Sequence, residues 1–483
     1  MIESKPSMSI KLSSSTFWLI IVFAVALLER LLIIILYQPV SNGDTPSYRR
    51  LADSVLHGFT NYDGTRTPGY PVFLALVGPD QRVWLVQLIL GFLTTLLLFY
   101  IGWKLTDKPW FGGLIALAHT LNLGQLFFES NLITESLTTF LMILTMAGIL
   151  VWLLYPKIRT ILLAFLLGLV SSLTLLVRPL FIYLPFYLLL FLWIEPKIVS
   201  NPKNLVNAGE TNIENKHIQQ HPRLHLGIAF LIPVVLLLGG WLTFIHKNFG
   251  EWSMTTMTGY HLIQHTGIFF EYVPDEYATL RDTYIKYRDA RITQFGTQTN
   301  AIWDAIPEMS QISGYSFYAL SRVLTRISIQ LILKHPFLYL KNVVSGWWMF
   351  WRAPVYWSPD ALRFPWFAGG VKLGILLERA LIFLTNLAFI FASISFVIIE
   401  CISAIRHKPS PLPIHHTHPS LYAYLWMLLG NIWIASILQT LLDHGDNPRF
   451  LIPLQSLVVL WVAAFILQLV DHKQTISTSS LQP

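Results

Sequence analysis

Two acidic residues stand next to long apolar segments, where a carboxylate can act on a substrate at a membrane surface. Asp44, in NGDTPSYRR (42–50), follows the apolar run 17–37, and Glu135 opens another such run. Carboxylates at the end of a membrane span are costly unless they line a polar cavity, so both are candidate catalytic residues. One could act as a general base while the other positions an acceptor or a metal. For Asp44 alone, the alternative is a cap on a helix that begins at Thr45.

Three arginines are suited to hold a phosphate group. Arg66 lies in the stiff turn RTPGYP, Arg178 lies in VRPL between two apolar runs, and Arg449 lies in GDNPRFLIP before the last run. A guanidinium offers a planar set of donors that matches phosphate oxygens. The alternative for each arginine is a side chain that reaches out to lipid head groups. The rings of Tyr48 and Tyr70, close to these charges in the sequence, are further candidate substrate-binding residues.

Other ionisable residues leave more than one interpretation open. Glu129 is either a substrate-binding residue or a solvated loop acid. Glu29 and Arg30, inside the first apolar run, are expected to make contacts within the protein. His261 and His265 can share a helix face, but no carboxylate has ligand spacing with them, so a zinc site is unsupported. The residues assign no cofactor, although a divalent metal held by the acids stays open.

The composition is that of a protein with many membrane spans. Of its 483 residues, 54% are hydrophobic and 12% are charged, where soluble domains average about 25% charged, and the mean hydropathy is +0.55. The net charge of +7 comes largely from loops between apolar runs, a pattern that sets membrane topology rather than binding nucleic acid. The single cysteine excludes an internal disulfide. No Walker, Gly-x-Gly-x-x-Gly or Gly-x-Ser-x-Gly motif supports an ATP-driven, dinucleotide-binding or serine-hydrolase function.

The apolar runs predict an all-α polytopic membrane protein with about ten transmembrane helices. The predicted spans are 17–37, 83–103, 109–127, 131–154, 160–177, 180–194, 225–246, 371–400, 420–441 and 450–470. An unbroken helix over 160–194 would exceed one bilayer, so Arg178 and Pro179 are expected to mark a break. With the basic loops in the cytoplasm, the chemically suggestive segments share the opposite face, namely 42–50, 64–71, 127–136, 177–180 and 444–450.

Three regions follow from this topology. They are an N-terminal membrane core at 1–246 with a catalytic outer loop at 38–82, an extracytoplasmic cap with interfacial helices at 247–370, and C-terminal transmembrane helices at 371–483. The many tryptophans near the end of the cap suit a membrane interface. The polar segments 198–222 and HHTH (415–418) are predicted as cytoplasmic connectors.

The order of these motifs resembles the GT-C superfamily of integral-membrane glycosyltransferases. The resemblance rests on GDTPSYRRLADSVLHG, RTPGYPVFLAL, ESNLITESLTTFLMIL, LVRPL and DNPRFLIPL, and it covers the first span to about residue 200 and then 444–454. The most similar branch is the bacterial one related to protein O-mannosyltransferases and to the aminoarabinose transferases that modify lipid A. The resemblance implies a donor sugar on polyprenyl phosphate, an acceptor hydroxyl on a lipid, glycan or protein, and a site facing the periplasm from the inner (plasma) membrane.

The resemblance also implies roles for single residues. In this family, an aspartate of the first outer loop acts as the base or organises the acceptor, and Asp44 matches it. Arg66 and Arg449 match basic residues that contact the donor phosphate, and Glu135 matches the acid that opens the fourth span. Where the family often has an Asp-Glu pair, this sequence has Asp44 followed by Thr45.

The predicted function is a glycosyltransferase with Asp44 as the base and Arg66 and Arg449 on the donor phosphate. The alternative from another class is a transporter or flippase of lipid-linked sugars. Such a protein would use similar arginines and a lipid groove without needing a base, and a shared fold does not separate the two. A third alternative is a membrane assembly partner without catalytic activity, for which no sugar transfer is expected with any donor.

Overall fold

The described part of the protein is helical throughout. The computed structural model describes residues 13–199, 221–353, 355–406, 419–445 and 447–479. Within these residues the only β-type pairings are two isolated bridges, Tyr37 with Leu362 and Val40 with Asn131. The prediction of an all-α polytopic membrane protein is confirmed. The segment 415–418 and most of 198–222, both predicted as connectors, lie outside the described residues.

Nineteen α-helices follow one another along the described chain. The first nine are α1 (Ser14–Leu36), α2 (Thr45–Leu56), α3 (Gly69–Val77), α4 (Asp80–Thr106), α5 (Pro109–Thr120), α6 (Leu123–Ser130), α7 (Glu135–Leu154), α8 (Ile161–Val177) and α9 (Leu184–Val199). The others are α10 (His221–Val234), α11 (Gly240–Phe249), α12 (Thr258–Thr266), α13 (Ala278–Phe295), α14 (Ala301–Ser313), α15 (Phe317–Lys334), α16 (Pro336–Phe350), α17 (Ala368–Ile405), α18 (Pro419–Leu442) and α19 (Ile452–Ser479).

Seven helical segments in the described residues are long and apolar enough to cross a membrane. They include α1, α4, α7, α17, α18 and α19, and a segment in which α10 and α11 are joined through a π-helical turn. The predicted span 109–127 falls on α5 and α6, which bend by 54° and count as an eighth span if taken as one. The predicted spans 160–177 and 180–194 fall on shorter apolar helices, so the number ten stays a prediction.

The break expected between the fifth and sixth spans is confirmed. Helix α8 ends at Val177, Arg178 has an extended backbone, and a 3-10 turn over Pro179–Tyr183 leads into α9. Proline has no backbone N–H to continue the helical hydrogen-bond ladder and disfavours helical geometry in the residue before it. The chain therefore turns at Arg178 and presents this side chain at the end of a helix.

The hydrophobic core of the helix bundle lies mainly between α7, α18 and α19, with residues of α4, α5, α8, α9, α10 and α17 packed around them. Met142, Leu428 and Trp461 are fully buried there. Large apolar side chains cover the outside of the bundle, as on α17, where Leu381 is 66% exposed. Apolar residues that face outward along such a helix are in contact with lipid chains in a membrane, where they carry no penalty.

Two of the hydrophobic clusters outside the main bundle core organise the region around the candidate site residues. One lies wholly within 257–331 and joins α12, α13, α14 and α15 through side chains such as Tyr260, Ile302 and Leu324. The other packs the outer loop onto the bundle and includes Tyr48, Tyr70 and Trp84. The second cluster fixes α2 and α3, which carry or flank several of the candidate site residues.

Candidate active site

Five of the sequence-predicted side chains meet in one charged cluster, although they come from five separate segments. Arg66 donates to Asp44 Oδ1 at 2.7 Å, and Arg449 donates two bonds to Asp44 Oδ2, both at 3.1 Å. Arg449 Nε also lies 2.9 Å from Glu135 Oε1, and Arg178 Nη1 lies 3.2 Å from the same oxygen. Arg449 is therefore the bridge between the two carboxylates.

Aromatic rings pack against the cations of the cluster. Arg66 lies over the ring of Tyr48 at 5.5 Å, so Tyr48 is part of the cluster, while its binding of substrate stays a prediction. The ring of Phe450 contacts two guanidiniums, with its centroid 4.1 Å from Cζ of Arg178 and 5.8 Å from Cζ of Arg449. A ring face attracts a cation and restricts its motion, so these contacts fix the directions in which the guanidiniums point.

The two carboxylates differ in their access to solvent. The Asp44 side chain is 27% exposed, whereas that of Glu135 is 0% exposed. A group that takes a proton from an incoming acceptor has to be reachable by that acceptor. Asp44 meets this condition, while Glu135 is in a position to hold Arg449 and Arg178.

The charge state of Asp44 follows from its neighbours. Burial alone would raise the pKa of Asp44, but the positive charges of Arg66, Arg449 and Arg178 outweigh it and leave the pKa below the usual value. Asp44 is therefore a carboxylate at neutral pH, and it can accept both a proton and hydrogen bonds.

The start of α2 determines the position of Asp44. Asp44 occupies the N-cap position, with a proline in the first turn of the helix, but its side chain makes no capping hydrogen bond. Thr45 fixes the turn instead, because its hydroxyl donates to Leu132 O at 3.0 Å and accepts from Asn42 N at 2.9 Å. The cap interpretation is therefore right about the position of Asp44 and wrong about its side chain.

The turn that carries Arg66 packs directly on the end of α8. A Cβ at Gly69 would lie 2.5 Å from Val177 N, closer than real atoms approach, so only glycine allows this contact. Tyr62 donates to Arg66 O at 3.1 Å and holds the other side of the turn. The contact between Gly69 and Val177 brings Arg66 and Arg178 to the same end of the bundle.

Two buried amides that the sequence interpretation missed hold the acidic segments together. Gln87, in α4, donates to Glu129 O at 2.9 Å and to Asn131 O at 2.8 Å. Asn131 donates to Tyr356 O at 2.7 Å and accepts from Asn42 Nδ2 at 3.0 Å. Both amides are at most 1% exposed.

These bonds fix the loop of Asp44 to the turn that precedes Glu135. A signal for one of them was present in the sequence, since an amide such as Gln87 inside an apolar span is costly unless its hydrogen bonds are satisfied.

Replacing Gln87 with leucine should destabilise the protein. The substitution removes the side-chain donor from two buried backbone carbonyls, of which Asn131 O keeps its bond from Ile133 N. A buried polar group that loses its partner costs about 1–3 kcal/mol. Thermal unfolding in detergent measures the loss as a lower Tm. Asn248→Ala is the matched control, because this exposed amide bonds, within the described ranges, only to Phe244 O in its own helix. Equal Tm values for Gln87→Leu and the control would contradict this role of Gln87.

Two of the predicted substrate-binding residues lie outside the charged cluster. Tyr70 is 0% exposed and donates to Gln87 Oε1 at 2.9 Å, while its ring packs edge-on against Tyr48. Tyr70 therefore packs against Tyr48 from the interior of the protein. Glu129 is 3% exposed and lies 2.6 Å from Arg30 Nη2, so the interpretation as a solvated loop acid is wrong. Substrate binding by Tyr70 or Glu129 stays a prediction.

The Glu129 carboxylate belongs to a polar network inside the bundle. Arg30 also donates to Thr120, whose hydroxyl donates to Glu29 Oε2 at 2.8 Å, so the expectation of internal contacts for Glu29 and Arg30 is confirmed. Gly91 makes room for the network, since a Cβ there would lie 1.9 Å from Glu129 Oε1. The network ties α1 to the end of α6, just before the turn that leads to Glu135.

Removing only one member of the Arg30–Glu129 pair should be far more damaging than removing both. Arg30→Leu leaves a buried carboxylate without its cation, at a cost of about 3–5 kcal/mol. The double variant Arg30→Leu, Glu129→Leu should recover most of this loss, because the fully buried carboxylate of Glu129 is removed together with its cation, while Glu29 keeps its hydrogen bond from Thr120. Unfolding curves of the wild type, of Arg30→Leu and of the double variant test the expectation. A double variant no more stable than Arg30→Leu would refute it.

The histidine pair of the cap contacts the loop before Arg449. His261 Nδ1 lies 3.0 Å from Asp443 Oδ2, and the ring of His265 packs against that of His444. The carboxylate partner of His261 comes from a distant segment, which spacing along the chain could not reveal. Across the described ranges, no group of three or more His, Cys, Asp or Glu side chains is arranged to hold a metal ion.

Comparisons with known proteins give one structural likeness to report. Neither a protein-family model nor a curated protein matches the sequence. The fold is similar to the crystal structure of the Archaeoglobus fulgidus oligosaccharyltransferase in its apo form, with a TM-score of 0.47 and 13% identity over 98% of this chain and 53% of that one. This chain thus spans about half the length of that enzyme. A likeness at this level carries no argument about activity, which has to come from the residues of the site.

Proposed function

We propose that the protein transfers a sugar from a polyprenyl-phosphate donor to a hydroxyl group of an acceptor outside the cytoplasm. The observation that carries the proposal is the cluster at the end of the helix bundle, in which Arg449 bridges Asp44 and Glu135. A lipid-linked sugar phosphate needs cations at the depth of the membrane interface and a base close to them. The cluster contains both.

In the proposed reaction, the acceptor oxygen attacks the anomeric carbon of the sugar. The O–H bond of the acceptor breaks, a C–O bond forms, and the bond between the anomeric carbon and the phosphate oxygen breaks. The phosphate leaves with the bonding electrons as polyprenyl phosphate, and Asp44 takes the proton. A single displacement of this kind inverts the anomeric centre.

The cations have two tasks in this reaction. Negative charge grows on the phosphate as the sugar leaves, and guanidiniums already held in place stabilise that charge. Arg66 and Arg449 are the groups assigned to the phosphate, with Arg178 beside them. Both oxygens of Asp44 accept from these guanidiniums. A donor phosphate would compete for them, and a carboxylate relieved of positive neighbours becomes a stronger base.

The buried Glu135 is proposed as the group that positions the arginines. It holds Arg449 and Arg178 on the side away from solvent, so both cations keep their places while Asp44 exchanges partners. The distribution of basic loops supports a site that faces outward, which in a bacterial cell is the periplasmic face of the inner membrane. The acceptor class proposed is a lipid, glycan or protein hydroxyl.

The experiment that tests this function uses the purified protein and a panel of polyprenyl-phosphate sugars, each offered with membrane extract as the acceptor source. We expect at least one donor to lose its sugar to a product that mass spectrometry identifies. The matching product should be missing from cells in which the gene is deleted. If the protein is correctly folded and no donor of the panel loses its sugar, the proposed function is contradicted.

A further inference from the structure

Helix α16 differs from the other helices of the predicted cap in where its later part packs. Its start contacts the hydrophobic cluster at 257–331 through Tyr339, and Asn342 donates to His265 O at 2.6 Å, but the later part runs beside the membrane helix α18. Near its start, Tyr339 donates to Leu441 O at 2.6 Å, at the outer end of α18. Near its end, Trp347 stacks on Trp433 with ring centroids 5.9 Å apart. Because Trp433 lies eight residues before Leu441, α16 descends along α18 by about 12 Å.

The end of α16 is buried in the core of the helix bundle. Phe350 and Trp351 are both 0% exposed, and Trp351 packs against Phe389 of α17 and Trp433 of α18. The chain then returns to the outer surface, where Tyr356 stacks on Phe128 and Ser358 N donates to the Tyr37 hydroxyl at 2.7 Å. Tyr37 is the residue that ends α1. The segment therefore enters and leaves the bundle on the same side.

Two backbone carbonyls of the turn at the bottom of this segment accept hydrogen bonds from side chains of a membrane helix. Asn386 Nδ2, on α17, donates to Trp351 O at 2.9 Å, and Arg379 Nε donates to Ala353 O at 3.0 Å. Asn386 is itself 0% exposed. Non-helical backbone within a bilayer is tolerated only where protein groups replace the missing water. The two bonds supply such protein partners for Trp351 O and Ala353 O.

One face of α16 is apolar and, in the part of the chain that the structure describes, largely exposed. Its exposed residues recur at helical spacing, namely Phe337 at 84%, Leu340 at 48%, Val344 at 64% and Trp348 at 43%. Trp348 packs edge-on against Phe383 of α17, whose neighbour Leu384 is 60% exposed. The face is thus continuous with the outer surface of a membrane helix. Lys341 lies near the upper end, from which a lysine can reach the head groups.

We propose that α16 and the return segment after it form a re-entrant hairpin in the outer half of the bilayer, with lipid acyl chains covering the exposed face of α16. A helix lying flat on the membrane surface would cross the end of α18 rather than run beside it. The segment bearing Arg449 directly follows the α18 end to which Tyr339 bonds, so the hairpin stands beside the charged cluster. In this proposal the extracytoplasmic cap, predicted at 247–370, ends near Lys334, before α16 begins.

The depth of α16 is measurable with spin labels, because the chain has a single cysteine. In a Cys401→Ser background, labels are attached at Phe337→Cys, Leu340→Cys and Val344→Cys, one per protein, and reconstituted in vesicles. Collision rates with oxygen, which concentrates in lipid, and with a water-soluble nickel chelate give the depth of each label. The controls have similar exposure, Leu384→Cys at 60% on α17 and Phe295→Cys at 57% in the cap.

The proposal expects Val344→Cys to match Leu384→Cys, with high oxygen and low nickel collision rates. Depth should increase from Phe337 to Val344 by about 1.5 Å per residue, as for a helix that points into the bilayer. A label at Val344 as accessible to nickel as the one at Phe295 would overturn the proposal, and Leu340→Cys gives the same comparison if Val344→Cys does not fold. The result does not depend on the proposed activity, so either can fail alone.

Discussion

Replacing Asp44 with asparagine should abolish sugar transfer while leaving the protein folded and able to bind the donor. Asparagine keeps the size of the side chain but cannot take a proton from the acceptor. General-base catalysis contributes about 10²–10⁴-fold to a rate, so kcat should fall by at least about 100-fold. The KM for the donor should change little or decrease, because Arg66 and Arg449 lose their carboxylate partner and become more available to phosphate. Initial rates with purified protein in detergent give both constants.

The matched control for this prediction is Asp53→Asn. Asp53 lies on the same helix, its side chain is 73% exposed, and it contacts only His57 in its own helix among the described residues. Its substitution should leave both kcat and KM unchanged. Normal transfer by Asp44→Asn would remove Asp44 from the catalytic role. Equal loss in both variants would indicate damage to α2 rather than to the chemistry.

Replacing Arg449 with lysine should impair both binding and transfer, although the charge is kept. Arg449 contacts Asp44 with two nitrogens and Glu135 with a third, and a single ammonium cannot reproduce this geometry. Loss of one positioned donor to a developing oxyanion costs about 10²–10³-fold in rate. We therefore expect kcat/KM to fall by about 100-fold, with a higher KM for the donor. The increase in KM distinguishes this variant from Asp44→Asn.

Arg322→Lys is the control for the arginine substitution. Arg322 pairs with Glu251 on the surface of the cap, and its side chain is 45% exposed. Exposed ion pairs contribute about 0–1 kcal/mol, so this variant should behave as the wild type. If Arg449→Lys also retains full kcat/KM, the bridge across the two carboxylates is not needed for transfer, and the assignment of Arg449 to the donor phosphate fails.

The charged cluster was largely predictable from the sequence because most of its members lie near the ends of apolar runs. Asp44, Glu135, Arg178 and Arg449 stand near the ends of predicted spans, Arg66 lies in a turn of the predicted outer loop 38–82, and the positive-inside pattern assigns all of these positions to one face. Membrane spans restrict where a loop can be, so residues far apart in the chain can be expected near one another. The structure brings all of them within contact distance.

The supporting contacts were not predictable in the same way. The sequence left Glu129 open to interpretation as a loop acid, because its partner, Arg30, lies on a different helix. The bend between α5 and α6 that buries Glu129 also has no strong sequence signal. The bonds of Gln87 and Asn131 depend on tertiary approach of backbone carbonyls, which no periodicity encodes. The descent of α16 beside α18 likewise depends on packing between distant segments.

Transfer and transport of the same donor are separated most directly in sealed vesicles that contain the purified protein, a polyprenyl-phosphate sugar labelled in the sugar, and the acceptor. If the protein transfers the sugar, polyprenyl phosphate appears in step with labelled acceptor in wild-type vesicles, and Asp44→Asn vesicles form neither while still binding the donor. Movement of intact donor between leaflets without release of polyprenyl phosphate, and unaffected by Asp44→Asn, would contradict sugar transfer and identify a transporter.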